Sequence, residues 1–316
     1  MRGPKLFEGA RVALIAPSSP VNGDVEAKLD RAVKTAEKLN LIPVLYPTAR
    51  ASHGYLAGTD EMRAKDINDA FADKDIDGIW CLRGGYGAHR ILPLLDYTTI
   101  RENAKFFGGY SDITAFHIAF RQQCGFGTYH MTMPTSDNLI DGSEYSYKYA
   151  KAMIFGEDIT YENPADMPIK TLVGGKAEGE LCGGNLSLVV ASLGTPWEID
   201  TRGKIIFLED VDEQPYSIDR MFTQLRNAGK LDDCAGIILG QYTDCEAKKP
   251  ENSLTLETVF EELVKPSGKP CITNFMCGHC SPTMSLPFGA RFALDADACT
   301  VIENNVKEYM QSVKIA

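Results

Sequence analysis

The chain has 316 residues, 44% hydrophobic and 24% charged, and reads as a globular protein of one large or two ordinary domains. Its formal charge of −11 argues against a nucleic-acid-binding surface. No stretch approaches the roughly 20 apolar residues that span a bilayer, and "VALIAP" is too short for a secretory signal, so the expected location is cytoplasmic, with no membrane partner.

The first half alternates apolar runs with amphipathic segments. "RVALIAP" (11–17) reads as a buried strand, and "DVEAKLDRAVKTAEKLN" follows with helical spacing of Val25, Leu29, Val33 and Leu39. Then come strand "IPVLYP", helix "TDEMRAKDINDAFAD", strand "IDGIWCLR", helix "AHRILPLL" and strand "KFFGGY". Helix "DITAFHIAFRQQ" and strand "GTYHMTM" complete this half. Such alternation predicts a parallel sheet covered on both faces, with ligands at the carboxyl ends of its strands. From Pro134 to Gly175 the pattern loosens around one helix, "YKYAKAMIFG". The second half opens with "KAEGELCGGNLSLVVASLG", a strand turning through glycines into a helix. It continues through strand "KIIFLEDV", helix "SIDRMFTQLRNAG", strand "AGIILGQY", helix "LTLETVFEELVK" and strand "CITNFMC". "RFALDADACTVIE" predicts a closing hairpin.

Three polar residues fall where strands end: Ser111 in "GGYSDI", Glu209 in "FLEDVDE" and His279 in "CGHC". A serine nucleophile needs a base, and the base needs an acceptor to hold its tautomer; these three types supply the roles. On the local pattern alone Ser111 reads first as a helix N-cap. The loop "RGGYG" (83–87) lacks the spacing of a phosphate cradle. It suits one wall of an oxyanion hole, with the amides of Gly85 and Asp112 as donors, or simply a tight strand-to-helix turn. A lone histidine is more often structural than catalytic, and on the residues alone that reading applies to His279 too. His117 falls in the helix after Ser111, His89 just past the glycine loop, and His53 and His130 in polar or strand-edge settings.

Nine cysteines without an export signal are expected to be reduced thiols. "CGHC" looks like a thiol–disulfide exchange motif, which would make the protein an oxidoreductase acting through Cys277 and Cys280. The prolines of "SPTMSLPFG" disfavour the helix such chemistry needs, and no second pair of ligands suggests a metal site.

Six motifs in order, "YLAGTDEMRAKDINDAF", "RGGYGAHRILPLLDY", "GGYSDITAF", "GELCGGNLSLV", "FLEDVDEQPYSIDRMFTQL" and "GH" before "LPFGA", resemble the LD-carboxypeptidase family of serine peptidases. That family includes muropeptide LD-carboxypeptidases and microcin-C immunity peptidases. The resemblance implies a flavodoxin-like parallel-sheet N-terminal domain and a smaller β-rich α/β C-terminal domain. It places a Ser–Glu–His triad on Ser111, Glu209 and His279, choosing Glu209 over Glu213. It also implies no cofactor and a homodimer. On this basis residues 1–150 form the domain with the nucleophile, 151–175 a linker region, and 176–316 the domain with the glutamate and histidine.

The expected function is hydrolysis of an L-to-D peptide bond, releasing terminal D-alanine from a small peptidoglycan tetrapeptide in wall recycling. Arg83 is the candidate for the substrate's free carboxylate, because a guanidinium binds that group bidentately. The alternative is a peptidyl- or aminoacyl-nucleotide substrate. Relatives of the immunity type are expected to carry a tryptophan in the loop after the N-terminal domain. The tryptophans here, Trp80 and Trp197, lie outside "PTSDNLIDGSEYSYKY", although Tyr145, Tyr147 and Tyr149 offer a weaker platform.

Overall fold

Four consecutive residues, Val12 to Ile15, are wholly buried. A strand with one wet face would alternate, so the run marks a strand covered on both sides. The computed structural model describes residues 2–136, 139 and 143–304, and places this strand, β1 (Arg11–Ile15), inside a six-stranded sheet. Its companions are β2 (Ile42–Leu45), β3 (Gly78–Cys81), β4 (Phe106–Gly109) and β5 (Thr128–His130). The order β2-β1-β3-β4-β5 is parallel throughout, the flavodoxin-like arrangement.

The helices of this sheet begin where the sequence supplies caps. In α1 (Val25–Lys38) the Asp24 carboxylate accepts from the Ala27 amide, and in α2 (Asp60–Ala72) the Thr59 hydroxyl accepts from Met62. Leu29, Ala32 and Ala36 turn one face of α1 into the core. The helix after the loosened stretch runs from Glu144 to Phe155, capped by Ser143. Residues 137, 138 and 140–142 of "PTSDNLIDGSEYSYKY" lie outside the described residues, as do 305–316.

The chain divides into two compact units: Arg2–Ile159 with Ser281–Phe288, and Thr160–Cys280 with the described residues from Gly289 onward. The short segment joins the first unit because Leu286–Phe288 forms an antiparallel edge strand on β5. The second unit holds a seven-stranded sheet. Its parallel centre is Lys176–Asn185, Ile205–Val211, Gly236–Thr243 and Cys271–Thr273 (β7 to β10). Lys170–Val173 (β6) flanks it antiparallel on one edge, and the hairpin Arg291–Asp295 and Thr300–Glu303 (β12, β13) on the other; β11 is the edge strand at Leu286–Phe288. The fold class is therefore the expected one. No described helix is long and apolar enough to cross a membrane.

Candidate active site

In the first unit β4 ends on Gly108 and Gly109, and Tyr110 continues extended. Ser111 then turns sharply, with φ of +67°. A side chain other than glycine held there costs about 1–3 kcal/mol, and it persists only where the surroundings fix it. An N-cap residue would be extended instead, so Ser111 is not a cap; it opens the tight turn Ser111–Ile113. Its side chain is half-exposed, whereas Asp112 to Phe120 are all buried. The corner thus presents one hydroxyl and hides the helix behind it.

The glycine loop lies against this corner. A β-carbon at Gly84 would stand 2.7 Å from Cβ and 3.0 Å from Oγ of Ser111, so only glycine fits. Gly85 has φ of +96°, and a β-carbon there would fall 2.6 Å from that of Ser19. Ser19 holds the loop twice: its amide donates to Gly84 O at 3.1 Å, and its Oγ accepts from the Tyr86 amide at 3.0 Å. The fully buried Arg63 donates through Nη1 to Pro17 O at 2.7 Å and Gly87 O at 2.9 Å. The Asp112 carboxylate accepts from the Ala88 amide at 2.7 Å, and burial pushes its pKa up. Arg83, half-buried, donates to Pro20 O at 2.7 Å.

In the second unit Glu209 sits near the carboxyl end of β8 (Ile205–Val211), in register with Asn185. Between Leu208 and Asp210 the pairing slips against β9, which advances from Leu239 to Tyr242. Such irregularities re-aim side chains. Glu209 is fully buried, and its Oε2 lies 2.7 Å from Nδ1 of His279, whose side chain is 15% exposed. The His279 amide also donates to Oε2, at 3.2 Å. A carboxylate in the interior therefore anchors an imidazole that reaches the surface. Burial works to lower the His279 pKa, but the charge and hydrogen bond of Glu209, with Asp210 behind, leave it raised.

The loop bearing His279 is tied down by amides. Asn163 accepts from Met276 N at 2.9 Å and donates to Asn274 O at 2.6 Å, while Gln241 N donates to Cys277 O at 3.0 Å. Asp210 accepts from Asn185 Nδ2 and from both the amide and hydroxyl of Ser187, which holds the carboxyl end of β8. Sequence reasoning missed these supports. Only the buried-strand context of "LCGGN" and "LGQY" hinted at them, since a polar group ending such a run needs a partner.

The remaining candidates fall elsewhere. Glu213 is in the loop beyond β8, after Asp212, whose φ is +57°. His117 is buried, donates from Nε2 to Gly109 O at 3.0 Å, and is pushed by burial down to about 4. Burial also lowers the pKa of His89. Both are neutral structural rings near neutral pH. All nine cysteines are free, and burial pushes the Cys277 thiol well up, the reverse of what an exchange nucleophile needs. Among the described residues no cluster of three His, Cys, Asp or Glu is placed to hold a metal.

Comparison with known proteins gives two family matches, the LD-carboxypeptidase N-terminal domain over residues 12–131 and the LD-carboxypeptidase C-terminal domain over 178–294. A probable murein peptide carboxypeptidase of Bacillus subtilis (strain 168) is 43% identical, covering 96% of this chain and 94% of its own. The crystal structure of a muramoyltetrapeptide carboxypeptidase from Oxalobacter formigenes aligns with a TM-score of 0.78 at 27% identity, over 92% and 97% of the two chains. The wild-type apo structure of the microcin C7 self-immunity protein MccF aligns at 0.87 over 96% and 99%; at 24% identity this likeness concerns the fold alone.

Proposed function

The chain belongs to the LD-carboxypeptidase family of peptide hydrolases, and on that premise we propose that Ser111, Glu209 and His279 are its catalytic triad and that it releases D-alanine from a peptidoglycan tetrapeptide. What supports the residue roles most is the imidazole of His279 anchored through Nδ1 on a wholly buried carboxylate. That contact fixes the tautomer and leaves Nε2 as the atom that exchanges protons.

In this mechanism Nε2 takes the proton of Ser111 as Oγ attacks the carbonyl carbon of the L-to-D bond. The amides of Gly85 and Asp112 donate to the oxyanion that forms. His279 passes its proton to the leaving nitrogen, D-alanine departs, and the acyl group remains on Oγ. A water molecule, deprotonated by Nε2 of His279, then attacks the acyl carbon; the bond to Oγ breaks, the proton passes from Nε2 to Oγ, and the shortened peptide leaves. Glu209 stabilises the imidazolium without taking its proton. Arg83 binds the terminal carboxylate that distinguishes a carboxypeptidase substrate.

The second reading, a nucleotide-bearing substrate, draws on the fold shared with MccF. A base needs an aromatic platform, worth about 1–3 kcal/mol. Trp80 is buried in β3, donating to Thr132 O at 3.0 Å, and Tyr149 is buried in its helix, so neither offers one. Tyr145, Tyr147 and Trp197 are half-buried, with Lys38 Nζ over the Tyr147 ring at 4.8 Å and Tyr145 packed on Tyr149 at 4.8 Å between centroids. The 43% identical murein peptide carboxypeptidase weighs further on the same side, and we favour the tetrapeptide. We also place the reaction in the cytoplasm, consistent with nine free thiols, and in a homodimer, which light scattering tests. Mass spectrometry of products, with kcat/KM compared for a D-alanine-terminated tetrapeptide and an aminoacyl-sulfamoyl adenylate, tests the substrate. Preference for the tetrapeptide is the expected result; preference for the adenylate overturns it.

A further inference from the structure

The guanidinium of Arg63 is wholly buried, which is costly for a charge unless its donors are matched. Within α2 it pairs through Nη2 with Asp60 Oδ1 at 2.5 Å, and the more exposed Arg90 holds the same carboxylate at 2.8 Å. That pair lies within one helical turn. Nη1, by contrast, reaches out of α2 to two loops at the carboxyl edge of the first sheet. It donates to Pro17 O after β1 at 2.7 Å and to Gly87 O after β3 at 2.9 Å.

Gly87 O belongs to the same peptide group as the Ala88 amide, and that amide donates to Asp112 Oδ2 at 2.7 Å. One peptide plane is therefore gripped at both ends, by a guanidinium on its oxygen and a carboxylate on its nitrogen. Both side chains are buried, so water does not compete for either contact. The grip holds Gly87 at φ of +124°, where a β-carbon would stand 2.8 Å from Nη1. Gly85 lies just before this peptide in the same loop, and Asp112 is the residue that follows Ser111. The side chain of one proposed donor residue thus ties down the loop that carries the other.

We propose that Arg63 is a positioning residue for the oxyanion hole: with the Asp112 carboxylate it holds the 87–88 peptide and so sets the spacing of the Gly85 and Asp112 amides. Arg63 touches no reacting atom. The inference rests on the proposed nucleophile and oxyanion donors, and is independent of which peptide the enzyme cleaves.

The test reads two rates in each variant: D-alanine release from the tetrapeptide, as kcat and KM, and labelling of Ser111 by a fluorophosphonate. In labelling, Oγ bonds to phosphorus, fluoride leaves, the serine proton passes to the proposed base, and the phosphoryl oxygen takes the place of the oxyanion. That rate reads the hole whatever the peptide. Misplacing such a group by about 1 Å costs about 100-fold. Arg63→Met should lower both kcat and labelling to that extent with KM little changed. Arg63→Lys keeps the charge beside Asp60 but loses the planar fork, and should lower both by about 10-fold. It carries the test if Arg63→Met does not fold, which circular dichroism establishes. Asp112→Ala frees the other end of the same peptide, so it should resemble Arg63→Met, and combining it with either Arg63 variant should cost little more. Arg90→Gln, which removes only the outer cation from Asp60, should keep wild-type rates.

Wild-type rates in folded Arg63→Lys and Asp112→Ala, or losses that multiply in the double variant, overturn the positioning role. Absence of D-alanine release by the wild-type enzyme overturns the peptide reading alone, because labelling of Ser111 still measures the hole. A wild-type Ser111 that does not label overturns the nucleophile on which the hole depends.

Discussion

A β-carbon on Gly278 would stand 2.7 Å from Oε2 of Glu209 and 2.9 Å from its Cβ. Gly278 also has φ of +128°, a conformation that side chains resist. The missing side chain is thus what lets the loop settle over the carboxylate so that the next residue, His279, meets it. Gly278→Ala should push the loop away and misplace the imidazole. A displacement near 1 Å costs about 100-fold in turnover. Steady-state kinetics should show kcat falling to that extent with KM little changed; unaltered kcat would mean the close approach is not needed.

The two glutamates of "LEDVDE" should separate cleanly. Glu209→Gln should lower kcat by roughly 10²–10⁴-fold, because the amide no longer holds the correct tautomer. Glu213→Gln, in the loop beyond the strand, should be mild. Parallel kinetics on both variants check the ranking, and the reverse order would move the carboxylate of the triad to Glu213.

The pH dependence has a definite sign. As the proposed base His279 would act only when neutral, and Glu209 holds its pKa above the ordinary 6.5 despite burial. Activity should therefore rise through an acidic limb centred above 6.5. In Glu209→Gln burial acts against less opposition, so the limb of the residual activity should move down. The same raised pKa stabilises the fold fully below the unfolded pKa, and that contribution is lost as pH rises through the folded one. A wild-type limb below 6.5, or one unmoved by the variant, contradicts the assignment.

The corner at Ser111 stores strain that a stability measurement reads. Left-handed backbone costs a non-glycine residue roughly 1–2 kcal/mol, part of which glycine returns through its greater freedom when unfolded. Ser111→Gly should thus exceed Ser111→Ala in stability by about 1 kcal/mol, measured by urea unfolding. Equal stability would mean the turn is relaxed.

Much of this architecture was legible in the chain. The buried runs "VALI" and "IIFLED", and the caps Asp24 and Thr59, carry their structure locally, so β/α alternation could be read directly. The strands that escaped notice are both at sheet edges. Lys170–Val173 is half-exposed, and Leu286–Phe288 contains Pro287, which reads against a strand and is tolerated at an edge. At the candidate site, residue types singled out Ser111 and His279 for the proposed roles. Their supports were hidden, because Gly84 and Gly278 act through space they leave empty, and Asn163 acts across more than a hundred residues of chain. No local pattern encodes such contacts.

The central claim is that Ser111 is the nucleophile for an L-to-D peptide bond. It is tested most directly by the kcat of the Ser111→Ala enzyme on a tetrapeptide ending in D-alanine, with D-alanine release followed by mass spectrometry. The account predicts a loss of several orders of magnitude in a protein that remains folded, since the residual catalysis of such sites comes from binding and the oxyanion donors alone. Retention of a tenth of the wild-type rate would contradict it.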